Sequence, residues 1–158
     1  MDIETTFAGK LRLLSITLGG IAVALTGPSL CRQAIACDQD SYSKELYFLA
    51  ISYIALSASF ILIVAIIFNI SKGIRYWSII DVTCHLLMAI LLLLGWILFV
   101  VSVSYNAKRV VVLPEYRQWY NNFMAKRSFA LILQFFNILA YLVTAFLAFK
   151  NRSRANRE

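Results

Sequence analysis

Four long apolar stretches constrain the fold of this chain more than any other feature. They cover residues 11–30, 46–70, 77–105 and 128–149. A helix needs about 20 residues to cross a hydrocarbon core of about 30 Å, and backbone in lipid must satisfy its own hydrogen bonds. Because the alternating ten-residue segments of a transmembrane β-barrel are missing, the sequence predicts an all-α integral membrane protein.

The composition agrees with this interpretation. Hydrophobic residues make up 61% of the 158 residues and charged residues 15%, whereas a soluble domain averages about half apolar and a quarter charged residues. The length allows one compact unit and no separate soluble domain. We therefore expect residues 1–158 to form a single tetraspan domain, a four-helix transmembrane bundle with short loops. The lipid bilayer is its predicted surrounding, and no nucleic-acid partner is expected.

The orientation rests on the loops. With both termini in the cytoplasm, the inner side carries eight Lys and Arg residues and the outer side seven, so the positive-inside rule does not decide. A tight basic turn at residues 71–76 and a basic tail directly after the last span favour cytoplasmic termini. Cys31 and Cys37 share the first loop, where an oxidising exoplasmic side allows a disulfide. The alternative is that both thiols are free, or that Cys31 is palmitoylated at a cytosolic interface.

Small and polar residues predict where the helices pack, because apolar side chains gain little by exchanging lipid for another helix. Three spans carry such residues at helical spacing: Gly20, Ala24 and Gly27 in the first, Ser52, Ala55 and Ser59 in the second, and Gln134, Asn137 and Tyr141 in the fourth. We expect Gln134 and Asn137 to face protein and to hydrogen-bond across helices. A polar transport path through them is the alternative.

Asp81 and His85 form an ionisable pair in the third span, and their four-residue spacing puts them on one helix face. Ionisable residues inside a membrane are functional candidates by default, and a carboxylate beside an imidazole can relay protons or bind a metal. No second-ligand motif accompanies His85, the only histidine of the chain. We therefore predict a polar pair near the interface that docks onto a neighbouring helix, and no metal site.

The longest connection, residues 106–127, carries an aromatic face. After Pro114, the residues Tyr116, Trp119, Tyr120 and Phe123 follow helical spacing. Proline suits the first turn of a helix. This pattern predicts a short interfacial helix between the third and fourth spans. Its rings either anchor it in the interfacial belt or bind a protein partner.

The C-terminal tail, residues 150–157, is basic. Anionic lipid at such a tail contributes about 1 kcal/mol per well-placed charge. The other interpretation is a plain stop-transfer flank, which needs no specific lipid.

No motif of an enzyme is present: the sequence lacks a phosphate-binding Gly-rich loop, a Ser-His-Asp set, paired intramembrane carboxylates and a zinc motif. We therefore expect no catalytic residues, no cofactor and no enzymatic activity. Longer chains with internal repeats are typical of transporters.

The layout of four spans, short tails, a small-residue first helix, two modest outer loops and a basic juxtamembrane tail resembles the MARVEL-like tetraspans of vesicles and cell junctions and the small tetraspans of septate junctions. The resemblance covers nearly the whole chain. It implies a membrane organiser at the plasma membrane, at a junction or in vesicles, which associates with itself or with other membrane proteins. The alternative function is a small oligomeric channel or carrier lined by Gln134, Asn137 and Asp81.

Overall fold

Four α-helices make up almost all of the described part of the chain. The computed structural model describes residues 3–27, 39–68, 70, 76–109 and 114–155. The helices are α1 (Ile3–Thr26), α2 (Gln39–Ile67), α3 (Trp77–Arg109) and α4 (Arg117–Ala155), and a 3₁₀ turn over Pro114–Tyr116 precedes α4. Each helix is long and apolar enough to cross a membrane. The predicted all-α bundle of four transmembrane helices is confirmed.

Helix α3 begins at Trp77, as predicted, but the other three helices begin earlier than the apolar stretches indicated. Helix α2 starts at Gln39 and α4 at Arg117, whereas hydropathy placed these starts at residues 46 and 128. The predicted interfacial helix is helical, but it is not a separate element: it forms the first turns of α4. The physical reason is that no Gly or Pro follows Pro114, so nothing interrupts the helix between the polar turns and the apolar span.

The four helices pack in the order α1, α2, α3, α4 around the bundle, and α4 returns to contact α1. Consequently α1 and α3 face each other across one diagonal, and α2 and α4 across the other. Helix α4 has 39 residues and is about 58 Å long at a rise of about 1.5 Å per residue. Because hydrocarbon accounts for only about 30 Å of that length, α4 extends beyond the apolar layer.

Two apolar clusters fill the interior. One contains Phe48 and Phe99, whose rings stack with centroids 4.3 Å apart and are almost completely buried. The other contains Leu92, Ile138 and further residues of α2, α3 and α4. Gly95 allows α3 to approach α2, since a Cβ at Gly95 would lie 3.6 Å from Phe48 Cα. The stacked rings pack between α2 and α3 at this level.

The outer faces of the helices are apolar. Leu13, Phe60, Leu94 and Phe146, one from each helix, are all exposed, together with many other large apolar side chains. Such a continuous apolar surface is foreign to a monomeric soluble protein. Lipid is its natural solvent, and polar side chains are accordingly found inside the bundle.

Candidate functional site

A buried ion pair joins α2 and α4 near the start of each helix. Arg127 Nε donates to Glu45 Oε1 at 3.0 Å, and Arg127 Nη2 donates to Glu45 Oε2 at 2.5 Å. Both side chains are fully buried. This two-point contact between guanidinium and carboxylate is the geometry in which charge-assisted hydrogen bonds are strongest. It fixes the relative height and rotation of two helices that face each other across the bundle diagonal.

Neighbouring groups complete this pair. Ser102 of α3 donates to the Ser41 carbonyl oxygen at 3.2 Å and lies 3.5 Å from Glu45 Oε1. The Phe123 ring lies 3.4 Å from Arg127 Cζ and covers the guanidinium face. A cation over an aromatic face gains electrostatic energy, most of all away from water. Three helices therefore contribute to one charged cluster.

The ion pair is the first member of a regular series across the α2–α4 diagonal. Glu45 and Arg127 are 82 residues apart, and so are the hydrogen-bonded Ser59 and Tyr141. Ser52 and Gln134 share this separation and lie between the two contacts, seven residues or about two turns from each. We call these three pairs, Glu45–Arg127, Ser52–Gln134 and Ser59–Tyr141, the α2–α4 polar ladder.

Tyr141 belongs to the last pair of the α2–α4 polar ladder, the one farthest from Glu45–Arg127. Its hydroxyl donates to the Ala55 carbonyl oxygen at 2.9 Å and lies 2.5 Å from Ser59 Oγ. Because a phenol has one proton, and Ala55 receives it, Ser59 must be the donor in the second contact. The Tyr141 ring also lies 5.7 Å from the His85 ring, centroid to centroid.

A second charged cluster joins α1 and α3. Arg12 of α1 forms a salt bridge and a hydrogen bond with Asp81 Oδ2. His85 Nδ1 lies 2.8 Å from the Asp81 carbonyl oxygen and 3.3 Å from Asp81 Oδ1. Since a carbonyl only accepts, the proton of this contact is on Nδ1. We call these residues the Arg12–Asp81–His85 cluster.

The two charged clusters lie at opposite ends of the bundle. Arg12 and Asp81 stand near the beginnings of α1 and α3, which share one membrane side, while Glu45 and Arg127 stand near the beginnings of α2 and α4 on the other side. Each ion pair connects a different diagonal. Each diagonal of the bundle is therefore joined by one buried ion pair.

Three side chains between the charged clusters make fewer hydrogen bonds than they are able to make. Ser52 Oγ, both amide atoms of Gln134 and Asn137 Oδ1 are buried and contact no donor or acceptor in the part of the chain that the structure describes. Gln134 is fully buried, and the other two are nearly so. Gln134 and Asn137 thus face protein, as their spacing predicts, but a hydrogen bond from Gln134 to another helix is not present among the described residues.

The small residues of α1 are arranged differently from the prediction. Gly19, Ala22 and Thr26 face the interior, and a Cβ at Gly19 would lie 3.1 Å from Asn137 Nδ2. A Cβ at Gly20 or Gly27 would meet nothing within 4 Å, and Ala24 is exposed. The predicted contact face of α1 is therefore wrong by one residue for packing within the bundle, because the spacing of Gly20, Ala24 and Gly27 also fits the outer face.

The small residues of α2 lie inside the bundle: Ser52, Ala55 and Ser59 are buried. Ala55 and Ser59 both contact Tyr141 of α4. The structure thus joins the predicted small-residue face of α2 to the predicted polar face of α4.

The aromatic face around Pro114 is divided between two environments. Phe123 is buried beneath Arg127, and the Tyr120 hydroxyl donates to the Asn106 carbonyl oxygen of α3 at 3.0 Å. Trp119 stacks on Phe123 and remains 46% exposed. Part of this face packs onto the bundle itself, so neither anchoring nor partner binding uses all of it. The side chain of Tyr116 lies outside the described part.

Several predicted features fall outside the described residues. Cys31 and Cys37 belong to this group, so their disulfide stays a prediction. The side chains of the tail beyond Lys150 belong to it as well. In the described part, no three His, Cys, Asp or Glu side chains come together as a metal ion would require. Asp81 instead contacts the guanidinium of Arg12.

Sequence reasoning missed the Glu45–Arg127 pair. The predicted spans started at residues 46 and 128, one position after each member, so both residues counted as loop. One signal was available: Glu45 and Ser52, and likewise Arg127 and Gln134, are seven residues apart and lie on one helix face. A polar stripe that continues past the apolar boundary indicates that the helix continues too.

Comparison of the chain with protein-family models, with curated proteins and with solved structures finds no match. The class of the protein therefore rests on its own geometry. Four apolar helices with charge and polarity directed inward define a multi-pass membrane protein built as a four-helix bundle.

Proposed function

We propose that this protein is a non-enzymatic organiser of a membrane complex. It associates laterally with a second copy or with other membrane proteins through the outer side of α1 and α2, and it contacts partners outside the bilayer through the first turns of α4. The observation that carries the proposal is where Gly20 lies: it opens onto the outer side of the bundle, where an added Cβ would meet nothing within 4 Å.

The outer side of α1 and α2 supports lateral association. Ile16 and Gly20 of α1 and Leu56, Ser57, Phe60 and Ile61 of α2 line a groove of about 400 Å³. Its floor at Gly20 has no side chain, and Ala24 continues the small-residue line one turn on. Small residues let the backbones of two membrane helices approach closely, and this is what drives helix association in lipid.

The first turns of α4 support a contact outside the bilayer. Trp119 is exposed there, and Arg117 and Lys126 are exposed in the same part of α4. Tryptophan and arginine are frequent in the energetic centres of protein interfaces. The basic surroundings fit an acidic partner surface.

The test measures self-association of Gly20→Leu. Two differently tagged copies are co-expressed, cross-linked in the native membrane and co-purified. We expect the substitution to reduce cross-linked pairs at unchanged expression, because leucine fills the groove floor. Thr83→Leu, which places the same leucine side chain at an exposed position of α3, is the control and leaves the yield unchanged. If both variants give the same yield of cross-linked pairs as the unmodified protein, the proposal of self-association through this groove is wrong.

Proximity labelling tests the exoplasmic contact by comparing the unmodified protein with Trp119→Ala. Labelling of the unmodified protein supplies the reference set of neighbours. We expect Trp119→Ala to remove a subset of them without changing the amount of protein in the membrane. A neighbour set identical to that of the unmodified protein contradicts the role given to Trp119.

The rival function is a small oligomeric channel or carrier lined by Gln134, Asn137 and Asp81. The polar atoms of Gln134 and Asn137 that lack described partners favour it. The Phe48–Phe99 stack and the pairing of Asp81 with Arg12 oppose it. Reconstitution into vesicles separates the two functions: a solute flux abolished by Asn137→Leu supports transport, and inert vesicles support assembly.

Location and orientation belong to the same proposal. We place the termini in the cytoplasm and the protein at the plasma membrane, at a junction or in vesicles, in keeping with the resemblance to MARVEL-like tetraspans. Labelling of single cysteines introduced at Glu115 and Glu158 in intact cells tests the orientation. Position 115 reacts with an impermeant reagent if the proposal is right, and position 158 reacts if the orientation is inverted.

A further inference from the structure

The middle of the bundle contains polar atoms that the described chain does not pair. Ser52 Oγ lies on α2, and Gln134 Oε1, Gln134 Nε2 and Asn137 Oδ1 lie on α4, all buried. Gln134 follows Arg127 by about 10 Å along the helix and precedes Lys150 by about 24 Å, so this group lies within the apolar layer. Buried polar groups without partners are costly, and more so where lipid replaces water outside.

The register of the α2–α4 polar ladder places Ser52 and Gln134 at the same level of the bundle. The contacts above and below Ser52–Gln134 are both direct, at 2.5 Å between side-chain atoms. Ser52 and Gln134 have the same separation along the chain but make no direct hydrogen bond. Asn137 lies one turn further, with its amide close against Gly19, where a Cβ would lie only 3.1 Å from Asn137 Nδ2.

We propose that Ser52, Gln134 and Asn137 form a binding site for internal water within the membrane. Ser52 Oγ donates and accepts, Gln134 Oε1 and Asn137 Oδ1 accept, and Gln134 Nε2 donates. A water molecule with two to four such partners is a structural part of a protein interior. The bound water completes the middle rung of the α2–α4 polar ladder, and the inference does not depend on the proposed function.

A monovalent cation is the competing ligand, and the chemistry disfavours it. A cation satisfies the three oxygen atoms but leaves the Gln134 Nε2 donor unpaired. The buried acidic side chains of the described chain are Glu45 of α2 and Asp81 of α3, and each already contacts an arginine. A bare cation therefore has no counter-charge at this depth, whereas water needs none.

Water-edited solid-state NMR of the protein in lipid bilayers tests this site. Glutamine and tryptophan are labelled with ¹⁵N, and Trp77→Phe and Trp119→Phe leave Trp96 as the only labelled indole. Magnetisation is transferred from water protons during short mixing. The chain has four glutamines, so a triple variant with serine at positions 33, 39 and 118 leaves Gln134 as the only labelled one. The Trp96 indole, whose Nε1 donates to the Leu131 carbonyl oxygen at 2.9 Å, is the dry reference.

We expect the Gln134 side-chain amide to receive water magnetisation at least twofold faster than the Trp96 indole. Ser52→Ala, which removes one water partner and little volume, is expected to reduce this rate. A Gln134 amide as slow as the Trp96 indole overturns the proposal. A shift of the Gln134 signal on replacing choline chloride with sodium chloride at equal ionic strength also overturns it, in favour of a cation.

Discussion

Arg127 donates two hydrogen bonds to the Glu45 carboxylate across the diagonal of the bundle, with both side chains fully buried. A charged pair inside a membrane protein is costly unless its partners are in place. Here Ser102 and the Phe123 ring complete the surroundings. The consequence is a fixed register between α2 and α4. The Arg12–Asp81–His85 cluster does the same for α1 and α3.

The first prediction concerns the ring that covers Arg127. Phe123→Leu keeps an apolar side chain but removes the aromatic face, so we expect the free energy of unfolding to fall by about 2 kcal/mol. Phe129→Leu makes the same change at an exposed phenylalanine of α4, and as the control it changes the free energy of unfolding by less than about 0.5 kcal/mol. Denaturant titration in mixed micelles measures both. Equal losses for the two variants contradict the role of Phe123.

The second prediction concerns the α1–α3 diagonal. Asp81→Asn leaves the Arg12 guanidinium without its counter-charge, and we expect a loss of about 3 kcal/mol in the free energy of unfolding. Asp40 forms an exposed pair with Lys44 within one helix, so Asp40→Asn is expected to cost less than about 0.5 kcal/mol. Thermal unfolding in lipid discs compares the two. A stable Asp81→Asn protein shows that the Arg12 contact is dispensable.

The third prediction separates two adjacent glycines. Gly19→Leu places a side chain against Asn137, and we expect it to lower the free energy of unfolding by about 1–3 kcal/mol. Gly20→Leu points outward and is expected to change it by less than about 0.5 kcal/mol, while it reduces lateral association. Denaturant titration of both variants provides the comparison. If Gly20→Leu lowers the free energy of unfolding more than Gly19→Leu does, Gly20 and not Gly19 lies on the inner face of α1, and the assignment is contradicted.

The fourth prediction concerns the Ser59–Tyr141 pair of the α2–α4 polar ladder. Tyr141→Phe removes the hydroxyl that bonds Ala55 and Ser59, and we expect a loss of about 1–2 kcal/mol, the range of hydrogen bonds between membrane helices. Tyr53→Phe, at an exposed tyrosine of α2, is the matched control and is near neutral. The unfolding midpoints of the two proteins measure the difference, and equal midpoints contradict the assignment.

Hydropathy predicts the four helices because span length and apolarity are local properties of the sequence. It places the starts of α2 and α4 too late, since Glu45 and Arg127 are polar and stand at the edge of the apolar runs. Their burial depends on a partner 82 residues away, and no local pattern reports that pairing. The same limit applies to Asp81, whose helix face is predictable but whose partner Arg12 is not.

The face of α1 shows a different limit. Gly19 and Gly20 are adjacent, and small residues occur at helical spacing on both of their faces. Which face turns inward depends on where Asn137 of α4 comes to lie. Small-residue spacing therefore indicates that a helix packs closely, but it does not determine whether the neighbour belongs to the same chain.

A double-mutant cycle on Glu45 and Arg127 tests most directly whether buried charge joins the opposite helices of this bundle. The free energy of unfolding in lipid discs is measured for the unmodified protein, Glu45→Leu, Arg127→Met and the double variant. We expect each single variant to lose about 3–5 kcal/mol and the double variant to lose much less, because replacing both charges leaves none buried alone. Losses that add within about 0.5 kcal/mol would show that the two residues do not interact, and the account of the diagonal pairs would be contradicted.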